Sequence, residues 1–278
     1  MNRYSIAVAT LLALLTSVFA RGVDANDDAK PLVIGETFTI KSKTLDESRR
    51  INVYMPSGYT ESPKTSLPVL YMPDGGMAED LLHIAGLIQV SVGNGTMRPF
   101  LLVGIENTQR RRDLSGPTEN ENDKKMAPKV GGSAAFRTFI RDELMPEVKR
   151  RYRTTKETAI VGESLAGLFV VETFLIEPEL FDVYIAIDPS LWWNDEKLLK
   201  SAAEKLRERK SSAKTLCLAN SSDDPVTPRF AEILKRSAPQ NLRWRHEPMP
   251  NETHATIYHP AALNAFRIAF KPKSSSAP

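Results

Sequence analysis

The sequence predicts an α/β fold built on a mostly parallel sheet with helices on both faces. Short apolar runs, which suit strands buried on both faces, alternate along the chain with longer stretches of helical periodicity. The first two runs, Thr37–Lys41 and Arg50–Met55, instead alternate apolar and polar residues, as an antiparallel strand pair does. The 278 residues are 41% hydrophobic, which suffices for one large core.

The remaining elements follow in chain order from the same two patterns. Apolar runs predict five buried strands, and a more polar run predicts the last strand: Leu67–Met72, Phe100–Ile105, Thr158–Val161, Val183–Ile187, Thr215–Ala219 and Leu242–Glu247. Helical periodicity, twice with a proline at the start, predicts six helices: Ala78–Gln89, Ser133–Arg151, Leu165–Ile176, Asp195–Arg209, Pro228–Ser237 and Pro260–Phe270. Residues 106–132 are polar and contain Pro and Gly, which predicts a long loop.

Residues 1–20 are predicted to be a signal peptide. Asn2-Arg3 forms a short basic region, and the apolar run Ile6–Phe19 is too short for a comfortable membrane span. The small residues of Val18–Ala20 suit cleavage after Ala20, with cleavage after Ala25 as the alternative. We therefore expect a secreted or periplasmic protein with no membrane span after signal cleavage.

Charge and cysteine content narrow the possible functions. The chain has 37 basic and 34 acidic residues, so its net charge of +3 does not provide the basic field of a nucleic-acid-binding protein. The single cysteine, Cys217, cannot form an internal disulfide and is expected to be buried in a strand. One domain is predicted over residues 31–272, followed by a disordered tail at 273–278.

Residues 159–167, Ala-Ile-Val-Gly-Glu-Ser-Leu-Ala-Gly, predict a sharp strand-to-helix turn with Ser164 at its crest. Gly162 and Gly167 supply space where strand and helix approach closely, and the methyl group of Ala166 is small enough for a position that is usually glycine. Such a turn exposes a serine hydroxyl at the carboxyl end of a strand. The N–H of Leu165 would then point at a developing oxyanion, so the pattern predicts a nucleophile for ester cleavage.

A serine nucleophile needs a base, and the chain contains four histidines. His83 lies within a predicted helix and His246 within the last predicted strand, where side chains are committed to packing faces. His259 precedes Pro260 and resembles a helix-entry residue. His254 lies in the loop after the last strand, where the base of this fold class is found, and is the predicted base.

The acid that orients the histidine is expected in a loop after a late strand. The loop after Thr215–Ala219 contains Asp224, the first choice, and Asp223, the second. Asp188, which follows the strand Val183–Ile187, is a third candidate because some hydrolases place the acid there. Aspartates in such loops also serve as turn and helix caps, so the identity of the acid stays open.

Several segments, in addition to the serine turn, resemble the putative-esterase family of α/β hydrolases, which includes enterochelin-type siderophore esterases and S-formylglutathione hydrolase. The resemblance is closest to its secreted, ferri-siderophore esterase-like branch. The segments run in family order from about Phe38 to the last helix: Arg49–Tyr59, Pro68–Gly75, Val103–Asn107, Arg112–Leu114, Phe139–Leu144 and Pro189–Trp193.

The resemblance implies an α/β-hydrolase fold with Ser164 as nucleophile and His254 as base. It also implies that the loop after the third strand supplies the second oxyanion donor, the N–H of Gly76 or Met77. The sequence departs from the family at Ala166, and at Asp188, where relatives carry serine, so the resemblance does not decide the acid.

Two further side chains are candidate substrate contacts. Among Arg110–Arg112, Arg112 is the predicted contact for an anionic group of the substrate. The alternative is a salt bridge to Asp113 or to the acidic residues of Glu119–Asp123 in a solvated loop. Trp192 is chosen to line the acyl pocket, while packing is the alternative for at least one of Trp192 and Trp193.

Together these features predict a secreted serine hydrolase of carboxylic esters that works through a Ser-His-Asp triad and an acyl-enzyme intermediate. The chemistry requires no metal and no organic cofactor. The partner is expected to be a small-molecule ester. An acyltransferase on the same site and a non-catalytic binding protein are the alternatives. Siderophore lactones, feruloyl or acetyl sugar esters and thioesters all stay open as substrates, as does the oligomeric state.

Overall fold

The computed structural model describes residues 30–208 and 213–272. Contacts between Cα atoms divide the chain after Ile34 into two units, and every helix and strand named below belongs to the unit that begins at Gly35. Of the first unit, residues 30–34 are described, and they form no regular secondary structure. The predicted signal peptide at 1–20 and the predicted tail at 273–278 lie outside the described residues.

Eight strands form one sheet within the described residues. They are β1 Gly35–Ser42, β2 Glu47–Tyr54, β3 Leu67–Pro73, β4 Leu101–Ile105, β5 Thr154–Glu163, β6 Val183–Ile187, β7 Thr215–Asn220 and β8 Arg243–Pro248. Their spatial order is β1-β2-β4-β3-β5-β6-β7-β8. The pairs β1–β2 and β2–β4 are antiparallel and all other neighbours are parallel, so the predicted fold class and its antiparallel N-terminal pair are confirmed.

Helices cover both faces of the sheet. They are α1 Leu81–Gly93, α2 Arg110–Leu114, α3 Glu121–Met126, α4 Ser133–Phe139, α5 Met145–Arg151, α6 Leu165–Ile176, α7 Trp193–Glu208, α8 Thr227–Ser237 and α9 Tyr258–Ala269. None of these helices is both long and apolar enough to cross a membrane, over the residues that the structure describes.

Successive residues of the central strands enter two separate hydrophobic cores because side chains alternate between the faces of a sheet. Tyr71 and Ile160 pack in the core that contains Phe169 of α6. Their neighbours Met72 and Val161 pack in the second core, with residues of α1 and α9. Cys217 also lies buried in the second core, as predicted, and burial raises the pKa of its thiol to about 11.

Two predicted segments differ from the structure. The helix predicted over Ser133–Arg151 is interrupted by a π-helical turn at Ile140–Leu144, which is followed by Pro146 at the start of α5. Proline has no N–H to donate to the preceding turn, so a regular helix cannot pass through it. The loop predicted over 106–132 contains the short helices α2 and α3, because five- and six-residue helices are too short to show periodicity in the sequence.

Candidate active site

Strained backbone marks the carboxyl-end edge of the sheet. Asp74, Ser164 and Asp188 are the residues directly after strands β3, β5 and β6. Their φ angles are 57°, 59° and 45°. Residues other than glycine rarely adopt positive φ, and such residues concentrate at functional sites. The three strands are neighbours in the sheet, so the strained residues converge on one region.

Close contact between strand β5 and helix α6 fixes the turn at Ser164. A Cβ atom added to Gly162 would lie 2.5 Å from the backbone carbonyl of Ala166, so only glycine fits at that position. Ala166 is fully buried, and its methyl group is accommodated because Gly162 has no side chain facing it. The N–H of Ser164 donates to the carbonyl of Ile187 at 3.1 Å, which ties the turn to the end of β6.

The structure brings Ser164, His254 and Asp188 together. Nδ1 of His254 lies 2.6 Å from Oδ2 of Asp188, and Nε2 lies 3.2 Å from Oγ of Ser164. An ionised carboxylate only accepts hydrogen bonds, so Nδ1–H is the donor to Asp188. Nε2 therefore presents its lone pair to the serine hydroxyl, which is the tautomer that a general base requires.

The carboxylate of Asp188 is buried and held in place by a neighbouring loop. The residue is 3% exposed, and its oxygens accept the N–H of Ser221 at 2.7 Å and the hydroxyl of Ser221 at 2.8 Å. Each oxygen is therefore fixed before it meets the imidazole. This arrangement orients the ring of His254 and stabilises positive charge on it.

The expected hydrogen bond between His254 and Asp224, the first choice for the acid, is not formed. Oδ1 of Asp224 accepts the N–H groups of Val226 and Thr227, where α8 begins. A carboxylate at the start of a helix is stabilised by the free N–H groups there, which turns this side chain away from the histidine. Asp188 replaces Asp224 as the candidate acid.

Asp223, the second choice, contacts the histidine loop through the backbone. Its Oδ2 accepts the N–H of His254 at 2.9 Å. The N–H and the hydroxyl of Ser222 both donate to the carbonyl of Glu252 at 3.0 Å, so three hydrogen bonds join the loop after β7 to the loop that carries His254. Asp223 thus holds the position of the histidine without contacting its ring nitrogens.

The other histidines lie elsewhere, in agreement with the sequence argument. Nε2 of His83 lies 2.9 Å from Nδ1 of His259, and their rings stack with centroids 5.0 Å apart. Nε2 of His246 lies 2.7 Å from Oδ1 of Asn220. Burial lowers the pKa of His246, which favours its neutral form.

Of the two backbone donors expected after β3, one is already engaged. The N–H of Gly76 donates to Oε2 of Glu79 at 2.7 Å, and the second oxygen of Glu79 accepts the N–H of Asn107. An N–H held by a carboxylate is not free to stabilise an oxyanion. The N–H of Met77 has no acceptor among the described residues, and neither does that of Leu165, the first residue of α6.

Arg112 is engaged in structural ion pairs. Its Nε donates to Asp113 at 2.7 Å and its terminal nitrogens to Glu47 at 2.8 and 3.3 Å. The arginine that reaches the site is Arg110, which binds the carboxylate of Asp74 through two hydrogen bonds of 2.7 and 2.8 Å. The expected substrate contact by Arg112 is therefore not supported by the geometry, because all three guanidinium nitrogens already have acceptors.

The two tryptophans have different environments. Trp193 is 5% exposed, and its Nε1–H donates to the carbonyl of Gly116 at 3.1 Å. Trp192 is 43% exposed, with its ring centroid 6.0 Å from that of Trp193. Trp193 therefore packs the loop after β6, while Trp192 is available to a ligand.

Glu163 also lies in the site, and no role was predicted for it from the sequence. Its Oε1 lies 3.2 Å from Nε2 of His254, as close as the serine hydroxyl. Burial raises the pKa of Glu163 to about 7, against the lowering effects of His254 and Arg110. The sequence does contain one sign of this role: Glu163 is a single charged residue directly after the apolar run Ala159–Gly162.

The pKa of His254 is raised although burial alone would lower it. The hydrogen bond to Asp188 and the negative charges of Glu163, Asp188 and Asp223 favour the imidazolium. The side chain of His254 is 50% exposed, so the ring is open to solvent on one side. The site therefore combines a serine hydroxyl at a strained turn, an imidazole with a raised pKa and a buried carboxylate.

Comparison with known proteins identifies related chains over most of this region. A model of the putative esterase family matches residues 42–259. The chain is 31% identical over 175 residues to the ferri-bacillibactin esterase BesA of Bacillus subtilis, which covers 56% of this chain and 58% of that protein. It is 30% identical over 188 residues to the siderophore triacetylfusarinine C esterase of Aspergillus fumigatus, which covers 60% of each.

A solved structure agrees with the fold. An IroE-like serine hydrolase from Shewanella oneidensis superposes with a TM-score of 0.77 at 27% identity, covering 85% of this chain and 80% of that one. The matched region spans less than two thirds of the length of both curated relatives named above.

Proposed function

The chain belongs to the putative esterase family, and from this membership and the site geometry we propose that it hydrolyses carboxylic esters with Ser164 as the nucleophile. One observation carries the proposal: a single imidazole, His254, contacts Ser164 through one nitrogen and Asp188 through the other. A serine at a strained turn, a base and a buried orienting carboxylate are the parts that acyl transfer needs.

The proposed reaction proceeds through an acyl-enzyme. His254 takes the proton of Ser164 as the hydroxyl attacks the ester carbonyl, and Asp188 stabilises the resulting imidazolium. The N–H groups of Leu165 and Met77 are the proposed donors to the tetrahedral oxyanion. Nε2–H then protonates the leaving alkoxide, and His254 activates the water that hydrolyses the acyl-enzyme.

We propose that the substrate is a small-molecule ester of the siderophore type. The support is that the relatives named above are siderophore esterases and that the site requires only an accessible ester carbonyl. Trp192 is the proposed apolar contact for the acyl part, because it is exposed beside the loop after β6.

Ester turnover tests the proposal. The purified protein is assayed against p-nitrophenyl esters of rising acyl length, then against ferric bacillibactin and ferric triacetylfusarinine C. Ser164→Ala is expected to lower kcat by several orders of magnitude. Ser201→Ala on α7 is the matched control and should leave kcat unchanged. Turnover that survives Ser164→Ala would contradict the proposal. Product partition with added alcohols separates hydrolysis from acyl transfer.

We propose that the protein acts outside the cytoplasm, with residues 1–20 removed. The support is the basic and apolar pattern of that segment. N-terminal sequencing of the protein recovered from the culture medium or periplasm tests this: a chain beginning at Arg21 or Asn26 is expected. A full-length chain retained in the cytoplasm would contradict it.

A further inference from the structure

Glu163 lies beside the nitrogen of His254 that faces Ser164. In ester cleavage, Nε2–H of His254 must reach the leaving oxygen to protonate it, so that oxygen lies within hydrogen-bonding distance of Nε2. Oε1 of Glu163 lies 3.2 Å from the same nitrogen. The carboxylate and the leaving oxygen therefore share one neighbour, and the alcohol half of any ester passes beside Glu163.

Negative charge dominates the surroundings of this position. Asp188 and Asp74 repel the carboxylate of Glu163, while His254 and Arg110 attract it. Arg110, however, is bound through two nitrogens to Asp74, which offsets its charge. The side chain of Glu163 is 18% exposed, so its charge is only partly screened by solvent.

Resting on the proposed ester hydrolysis, we propose that Glu163 is a specificity-determining residue that selects esters by the charge of their alcohol half. Alcohols bearing a cation or a hydrogen-bond donor close to the ester oxygen interact favourably with the carboxylate. Alcohols bearing an anion at that position are repelled, both as substrate and as leaving group. The acyl half, which lies on the other side of the carbonyl, is not selected by this residue.

The proposal also predicts how selection changes with pH. Glu163 must be ionised to discriminate by charge. Burial raises its pKa to about 7; the charges of Asp188 and Asp74 also raise this pKa, and those of His254 and Arg110 lower it. Charge selection is therefore expected to be strong at pH 8 and weak at pH 6. A residue with a purely structural role would not produce this dependence.

Three butyrate esters test the proposal because they differ in charge at one position: those of choline, 3,3-dimethylbutanol and 3-hydroxypropanoate. The measured quantity is kcat/KM by pH-stat titration, each value divided by the hydroxide-catalysed rate constant of the same ester. At pH 8 the choline ester is expected to exceed the neutral ester by about tenfold, and the neutral ester to exceed the anionic ester by about tenfold. Raising the salt concentration should reduce both ratios in the unmodified protein.

Glu163→Gln is expected to reduce both ratios to within about threefold of one, and Glu163→Asp is expected to retain part of them. Glu157→Gln, at the other end of β5, is the matched control and should leave them unchanged. If the unmodified protein hydrolyses the neutral ester through Ser164 but its ratios are near one, or are unchanged by Glu163→Gln, the charge-selection proposal is overturned and the proposed function stands. If the unmodified protein does not hydrolyse the neutral ester, the proposed function and this inference both fall.

Discussion

Two groups of charged side chains in the described part of the chain differ in how their charges are balanced. The ion-pair cluster joins Glu47 and Asp113 to Arg49 and Arg112, and each of its carboxylates contacts both guanidinium groups. The triad cluster joins Asp188 and Glu163 to one imidazole, that of His254. In the first cluster two negative charges meet two permanent positive charges.

The triad cluster has two carboxylates for one titratable cation, so its charge balance depends on a proton. The negative charges of the two carboxylates help to raise the pKa of His254, while burial, with a smaller contribution from the charge of Asp188, raises the pKa of Glu163 to about 7. The ion-pair cluster is closed to solvent at Arg49 and Asp113, both fully buried, whereas the ring of His254 is half exposed. Unequal charge and access to solvent, rather than the number of ion pairs, therefore distinguish the triad cluster from the ion-pair cluster.

The largest change in activity is expected at Asp188, the proposed triad acid. Asp188→Asn should lower kcat by about 10³- to 10⁴-fold, because the imidazole loses the carboxylate that fixes its tautomer and stabilises its charge. Asp224→Asn is the matched control and should change kcat by less than about threefold. Steady-state kinetics on a neutral ester measures both. A large loss in Asp224→Asn with none in Asp188→Asn would reverse the assignment.

Breaking the ion-pair cluster should affect stability instead of activity. Asp113→Asn leaves the fully buried Arg49 with one carboxylate fewer, and the free energy of unfolding is expected to fall by about 3 kcal/mol. Urea denaturation measures the loss. The kcat of the remaining folded protein should be unchanged, and a parallel fall in kcat would show that the two clusters are coupled.

The pH dependence of activity should report the charge imbalance of the triad cluster. The proposed base, His254, can accept a proton only when it is neutral, and its raised pKa keeps it protonated to higher pH. We expect kcat/KM on a neutral ester to rise with pH through an apparent pKa above the ordinary value of about 6.5. Glu163→Gln removes one negative charge and should move this limb to lower pH. A limb below the ordinary value would contradict the account.

Glu163 is expected to destabilise the folded state at pH values where its carboxyl group is ionised. A carboxyl whose pKa is raised in the folded state holds a proton that the unfolded chain releases, so its contribution to stability is present below the ordinary pKa of 4.5, is lost as pH rises through about 7, and does not change further at higher pH. Glu163→Gln is expected to stabilise the fold by about 1 kcal/mol at pH 8 and by little at pH 4.5. Urea denaturation at both pH values, with Glu157→Gln as control, measures the difference. Equal effects at both would argue against a buried charge.

The smallest expected effect on catalysis is that of Arg112. Its guanidinium is held by Glu47 and Asp113, so Arg112→Gln should change kcat/KM by less than about twofold while lowering stability slightly. The measurement is the same ester assay on the folded variant. A tenfold rise in KM would mean that Arg112 reaches the substrate after all.

The sequence predicted the parts of the fold and site that depend on local pattern. Apolar runs predicted the central strands, and the spacing of small residues around Ser164 predicted the turn now seen against Gly162 and Ala166. His254 was predicted from its position in the loop after the last strand, because His83 and His246 lie on elements committed to packing and His259 resembles a helix-entry residue. These features need little information about contacts between distant loops.

The triad acid and the role of each arginine depend on such distant contacts. Asp224 and Asp188 each follow a strand, and only the loop conformation decides that one meets an α8 N–H and the other meets His254. Arg110 and Arg112 are two positions apart, and the short helix α2 turns them towards different carboxylates. Sequence pattern carries no signal for these choices.

Reaction with a neutral fluorophosphonate, followed by intact-mass and peptide analysis, examines the proposed nucleophile itself. One adduct is expected, located on Ser164, that forms much more slowly in His254→Ala and Asp188→Asn and at the original rate in Asp224→Asn. If no adduct forms, if the adduct lies on another residue, or if labelling is indifferent to His254, then Ser164 and His254 do not work as the proposed nucleophile and base.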